Sequence, residues 1–190
     1  PETTLQPLIA KFARLEQELD DARRELAKKS APSAHGTRAA RYSFASFLGT
    51  STAGILQPEL AYRRRDAATG ALPDDFHYRS THNAFSLAEF TRDHFGLTGM
   101  AMAISTACSS SAKVFAAAAR QLALGSIDAA IVGGVDSLCL TTLYGFASLQ
   151  LTSKNPCRPY DASRDGISIG EGAAFALLER YAAPAAGTVM

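Results

Sequence analysis

Apolar residues recur at three- and four-residue steps from the start of the chain: Leu5, Leu8, Ile9, Phe12, Leu15, Leu19, Ala22 and Leu26, with Glu, Asp, Arg and Lys between them. That period predicts one amphipathic helix over residues 5–29. Its stripe suits packing against a sheet, and is too short to fix a coiled-coil heptad. Ser30 to Thr37, with Pro32 and Gly36, breaks the pattern. Tyr42 to Leu48 is a short apolar run that reads as a buried strand, and Gly49 to Gly54 is a turn of small residues. Residues 62–80 carry charge, Gly70 and Pro73, and read as an irregular loop. Ser80, Thr81 and Asn83 are N-cap candidates for a helix over about 84–95, which Gly96 ends.

The second half alternates more sharply. Met100 to Ser105 reads as an apolar strand, Thr106 to Ser109 as a tight connection, and Ser111 to Leu124 as an alanine-rich helix closed by Gly125. Asp128 to Gly133 reads as a second buried strand, and Leu138 to Leu149 as mixed strand and helix. Residues 152–170 form a polar loop, and Gly172 to Leu178 reads as a third buried strand. Buried strands alternating with helices predict an α/β fold whose sheet is covered on both faces.

Composition narrows the function classes. A length of 190 residues suits one domain or a large part of one, and 47 % apolar residues can fill its core. A net charge of +1 argues against a dedicated nucleic-acid binder. The charge is uneven: residues 1–65 hold 11 Lys and Arg against 7 Asp and Glu, with Arg63, Arg64 and Arg65 in one run. Such a run is commonly a solvated loop. The three cysteines, Cys108, Cys139 and Cys157, are odd in number and lack metal-ligand spacing. They predict no disulfide framework, no metal site and a reducing compartment. No apolar run is long enough to span a membrane, and no signal peptide is visible. The chain begins with Pro1 rather than Met, which points to a natural N-terminus that is missing or processed.

Cys108 is the candidate for chemistry. It lies between a predicted strand and a predicted helix, among the small residues Ala107, Ser109, Ser110 and Ser111. A helix N-terminus carries unpaired N–H groups and positive partial charge, which favour a thiolate and can hold a developing oxyanion. Free cysteines are also common inert core fillers, and position alone leaves both readings open. Cys139, in an apolar run, reads as packing, and Cys157, in a polar loop, as incidental.

Several ordered motifs carry a resemblance. Ser105-Thr106-Ala107-Cys108-Ser109-Ser110-Ser111-Ala112-Lys113 resembles the active-site motif of elongating β-ketoacyl synthases. Asp128 to Asp136 and Gly145-Phe146-Ala147-Ser148-Leu149 are similar to the segments that follow it in that family. So are Asn155 to Asp161, Ser163-Arg164-Asp165-Gly166 and Gly170 to Ala174, while Leu48 to Ile55 resembles the family's glycine-rich turn. The match runs in register over roughly residues 42–180, which makes it far more specific than one short pattern.

The resemblance implies a thiolase-like fold, here the N-terminal half of a layered αβαβα architecture with a mixed sheet covered by helices. Residues 1–37 would form a helix and linker leading into a core over 38–190, with the C-terminal half absent. It implies a cysteine acyltransferase: Cys108 takes an acyl group from acyl carrier protein, then condenses it with a malonyl thioester by decarboxylative Claisen chemistry, in fatty acid, polyene or polyketide synthesis. The Cys108 N–H would serve the oxyanion. Phe146 would line the acyl pocket or simply pack; Thr50 and Ile55 would border the acyl tunnel or simply turn the chain. Arg63, Arg64 and Arg65 would dock the acidic carrier protein. Arg164, Asp165 and Glu171 read as structural, the first two as an ion-paired loop.

The strand Met100 to Ser105 would pair across a homodimer or a ketosynthase heterodimer. No cofactor, metal, nucleic acid or membrane is implied, and the setting is cytoplasmic. The family's two catalytic histidines lie in downstream motifs that this sequence does not contain, and His35, His77, His82 and His94 are not recruited. The expectation is therefore that these residues do not condense substrates alone, and that an isolated half associates through exposed apolar surface. Two alternatives remain: a non-catalytic partner of the chain-length-factor kind, and a thiolase-like enzyme acting on acyl-CoA.

Overall fold

The computed structural model describes residues 13–25 and 43–180. Helix α1 occupies residues 13–25, within the predicted 5–29. The remainder of that helix, the 30–37 breaker, His35 and the segment after Gly187 lie outside the described residues. Then follow β1 (Phe44–Gly49), α2 (Leu56–Arg63), α3 (Tyr78–Thr81), α4 (Phe85–His94), β2 (Ala101–Ile104), α5 (Ser110–Ala123), β3 (Ala129–Asp136), α6 (Leu140–Ser148) and β4 (Gly172–Glu179).

The four strands form one sheet in the order β2-β1-β3-β4. β1 is parallel to both β2 and β3, while β4 runs antiparallel to β3. The sheet is therefore mixed, and its two faces follow from the alternation of side chains along each strand. Ala45 and Phe47 of β1, Ala130 and Val132 of β3, and Ala176 and Leu178 of β4 meet Val114, Ala117, Ala118 and Leu122 of α5. The neighbours of opposite phase, Phe44, Ala129, Ile131, Phe175 and Leu177, meet Leu15, Leu19 and Ala22 of α1 and Phe95 and Leu97 after α4. Helices thus cover both faces. β1, central and covered on both sides, is buried at all six positions.

Four readings are corrected. α2 was not expected: only its Pro58 and Ala61 are buried, so the sequence carries no apolar stripe to announce it. Its end and the four-residue α3 also take the two margins of the predicted 62–80 loop. Leu138 to Leu149 contains no strand; it is the helix α6, and none of its residues is buried. β4 is half-exposed rather than buried, because among the described residues it is an edge strand with one neighbour. β2 is the opposite edge, with Met102 37 % exposed, so Cys108 follows an edge strand rather than a buried one.

Glycines act where the chain must turn or approach closely. α4 and α5 end at Gly96 and Gly125, both in the left-handed region that glycine adopts without strain. α4 has no side-chain cap at its N-cap residue, Ala84; Asn83 instead accepts the Phe85 amide proton at 3.1 Å.

Candidate functional site

β1, β2 and β3 run parallel, so their C-terminal ends lie at one edge of the sheet. In open α/β sheets that edge is where loops converge on ligands. Here it gathers three connections: Thr50 to Ile55 after β1, Ser105 to Ser109 after β2, and Ser137 to Cys139 after β3.

The connection after β2 is a sharp elbow. Ala107 has φ +53°, in the left-handed region that alanine adopts at a cost of about 1–3 kcal/mol. Cys108 comes next and is exposed, one residue before the helix-capping position Ser109. The serines do not cap α5 in the forward direction; Ser109 makes no side-chain cap bond. They reach back. Ser109 Oγ donates to the Thr106 carbonyl at 2.9 Å, and Ser110 Oγ donates to the Ala107 carbonyl at 2.7 Å while accepting the Thr106 amide proton at 2.8 Å. Cys108 sits at the apex of this knot, and its own amide makes no hydrogen bond among the described residues.

Two glycines seat the elbow on the sheet. A Cβ on Gly49, the last residue of β1, would lie 2.7 Å from backbone atoms of Ser110 and Ser111. A Cβ on Gly134 would lie 2.0 Å from Ser111 Oγ. The first turn of α5 therefore rests directly on the ends of β1 and β3, a packing that no side chain at either position permits without displacement.

The connection after β1 is held from a distance. Asp136, the last residue of β3, accepts from Ser51 N at 2.7 Å, Thr52 N at 2.8 Å, Thr50 Oγ1 at 3.1 Å and Thr52 Oγ1 at 3.2 Å. Ser137 Oγ adds a bond to the Thr52 carbonyl at 2.9 Å. From α2, Glu59 accepts the amides of Leu140 (2.7 Å) and Thr141 (2.8 Å), and the Thr141 hydroxyl, capping α6. Desolvation opposes the Glu59 charge, but those three donors and nearby Arg63 outweigh it and hold its carboxyl below the ordinary carboxylate range.

The expected residues fall as follows. Thr50 is buried, its hydroxyl committed to Asp136 and to the Ala53 amide, so it braces the turn; Ile55 is half-buried at the start of α2. Phe146 is half-buried on α6. Arg63 and Arg65 are exposed at the end of α2, whereas Arg64 is committed to Asp75 through two bonds of 3.0 Å. Cys139 is buried and Cys157 exposed. Arg164 and Asp165 are not paired with each other: Arg164 donates to the Asp161 carbonyl, and Asp165 accepts from Ser153 and Asn155. Both tie down the 152–170 loop, as Glu171 ties Leu138.

His82 tilts against Tyr78, and His94 stacks on Phe90 and lies 3.3 Å from Glu16. Among the described residues, no group of His, Cys, Asp and Glu is arranged to hold a metal, and no helix is long and apolar enough to cross a membrane. Asp136, Glu59 and Ser110 were not singled out in the sequence. Asp136 and Glu59 act on segments more than eighty residues away, which no local pattern announces; the serine run was visible but its backward bonds were not.

Comparison with known proteins bears on the family and the fold. The family model for the β-ketoacyl synthase N-terminal domain matches residues 22–183. A 3-oxoacyl-[acyl-carrier-protein] synthase 2 of Rhizobium meliloti is 42 % identical over 91 residues, 44 % of this chain and 22 % of its own. A non-reducing polyketide synthase of Aspergillus fumigatus is 37 % identical over 111 residues, 57 % of this chain and 6 % of its own. A ketosynthase of Xenorhabdus doucetiae, solved in complex with its chain length factor, superposes with a TM-score of 0.69 at 31 % identity, covering 93 % of this chain and 41 % of that one. The chain thus spans well under half the length of each of these relatives.

Proposed function

The chain belongs to the β-ketoacyl synthase family, as its N-terminal domain, and has the thiolase-like ketosynthase fold; on that premise we propose that it supplies the acyl-accepting cysteine, Cys108, of a decarboxylating condensing enzyme. The observation that carries this reading is the position of an exposed thiol at the apex of a braced elbow, at the start of α5 and at the edge where the parallel strands end.

In the first step the Cys108 thiolate attacks the carbonyl carbon of an acyl-carrier-protein thioester. The oxyanion forms beside the Cys108 amide, whose N–H has no other partner among the described residues. The carrier thiol leaves with the proton that the Cys108 thiol gave up, and the acyl group remains on the Cys108 sulfur. In the second step a malonyl thioester loses carbon dioxide. Its carbanion attacks the acyl carbon, the new C–C bond forms, and the Cys108 thiolate leaves. Acyl transfer falls to Cys108; among the described residues no group is given the decarboxylation.

Other parts take supporting roles. Phe146 and Ile55 line the acyl path, with Thr50 holding the wall behind them. Arg63 and Arg65 face the acidic carrier protein, while Arg64 steadies their loop through Asp75. Among the described residues nothing pairs with the outer edge of β2, and a second synthase subunit pairs there, either an identical copy or a chain-length-factor-like partner such as the one in the Xenorhabdus complex.

The intact protein, given acyl and malonyl thioesters of carrier protein, is expected to release carbon dioxide and form a β-ketoacyl product, and Cys108→Ala is expected to abolish product formation. Equal product formation by Cys108→Ala would rule the reading out. No product from the wild type, together with activation of a separate ketosynthase, would favour the non-catalytic partner role.

A further inference from the structure

We propose that Ser110 is a positioning residue for acyl transfer: its hydroxyl locks Ala107 in the left-handed conformation and so fixes the direction of the Cys108 thiol and amide. The inference rests on Cys108 as the acyl acceptor.

Ser110 is 3 % exposed, and its Oγ makes two bonds, one given and one received. The donated bond goes to the Ala107 carbonyl and the accepted one comes from the Thr106 amide. Together they close a ring around the peptide unit that precedes Cys108. Ala107, at φ +53°, would relax to the right-handed side if released, since an L side chain crowds the left-handed region. Relaxation would swing the Cys108 peptide away from the start of α5. The second serine bond, from Ser109 to the Thr106 carbonyl, lies on the exposed side and does not touch Ala107. Ser110 alone grips the strained residue: its backbone amide also donates to the Ala107 carbonyl, at 3.0 Å, and its hydroxyl adds the shorter bond to that carbonyl and the tie to the Thr106 amide, which together hold the peptide against rotation.

The helix cannot absorb the change, because Gly49 and Gly134 hold its first turn against two strand ends. Losing the Ser110 hydroxyl is therefore expected to move the elbow rather than the helix. A misdirected nucleophile reacts poorly with a thioester that must also reach an oxyanion donor, yet alkylation by a small reagent requires only an accessible thiolate.

The deciding experiment uses the intact protein and three variants: Ser110→Ala, Ala107→Gly and the double variant. Acylation of Cys108 by an acyl-carrier thioester is followed by mass spectrometry, beside alkylation of the same residue by iodoacetamide. Ser110→Ala is expected to slow acylation by about tenfold or more while alkylation changes by less than about threefold. Glycine adopts the left-handed region freely, so the double variant is expected to recover much of the lost acylation rate. A simple packing defect at Ser110 would not be repaired by glycine at position 107.

Unchanged acylation in Ser110→Ala, or no recovery in the double variant, would overturn the proposal. Absence of acylation on wild-type Cys108 would overturn the acceptor assignment and this inference with it. If Ser110→Ala does not fold, the double variant decides: recovery of folding and acylation supports the clamp, and failure of either contradicts it.

Discussion

Two strand-to-helix connections lie side by side at the same edge of the sheet, and they are built on opposite plans. The one after β1 takes its order from afar. Asp136, 84 to 86 residues away, gathers two amides and two hydroxyls of Thr50 to Thr52. The one after β2 is tied by its own serines, within four residues of Cys108. A distant carboxylate makes a wall, because it cannot form its bonds until the sheet has assembled. Local hydroxyls make a rigid bend that leaves its apex open. The Thr50 hydroxyl is thereby committed to Asp136 and the Ala53 amide, whereas no bond of the elbow engages the Cys108 thiol among the described residues.

Disturbing the contact that joins the two connections is expected to have the largest effect. Gly49→Ala places a methyl group 2.7 Å from the backbone of Ser110 and Ser111, and the strand cannot yield because it is buried on both faces. We expect a loss of about 3 kcal/mol, with slower Cys108 acylation, read by thermal unfolding and intact mass. Asp136→Ala comes next. It leaves the Thr50 hydroxyl and two amides without their acceptor, and is expected to cost about 2 kcal/mol in denaturant titration. Disturbing the wall in this way should impair acyl-substrate binding more than thiol reactivity. The converse outcome would mean that the two connections are not separate in function.

Glu59→Gln gives a smaller effect. The substitution weakens the cap on α6 and is expected to cost about 1 kcal/mol at neutral pH. The folded carboxyl titrates below its unfolded value, so its contribution is complete above the ordinary carboxylate range and is lost as pH falls through the folded value. The wild type and Glu59→Gln should therefore converge in stability in acid; parallel curves would contradict the cap. Smallest is the surface effect. Reversing Arg63 and Arg65 to Glu is expected to raise the KM for carrier-protein substrate by about threefold at low salt, leave kcat unchanged, and vanish at high salt.

The same contrast separates what the sequence announced from what it hid. β1, β3, α4 and α5 were legible because each carries its own signal: an apolar run for the strands, N-cap candidates and the stop at Gly96 for α4, and an alanine-rich run closed by Gly125 for α5. The Cys108 elbow was legible because its parts are neighbours in the chain, and its resemblance to the synthase motif marked it. α2 was hidden because it buries only Pro58 and Ala61. The half-exposure of β2 and β4 was hidden because an edge strand and a central strand can carry the same apolar letters, and only pairing distinguishes them. Asp136 and Glu59 were hidden for the same physical reason: their partners are assembled by the fold.

Acyl transfer to Cys108 is tested by the denaturing intact mass of the protein after incubation with an acyl-carrier-protein thioester, with Cys108→Ala alongside. A single acyl increment on the wild type, mapped to Cys108 and absent from the variant, is the predicted result. An unmodified wild type in the presence of the complete synthase, or an increment that persists in Cys108→Ala, would contradict the account.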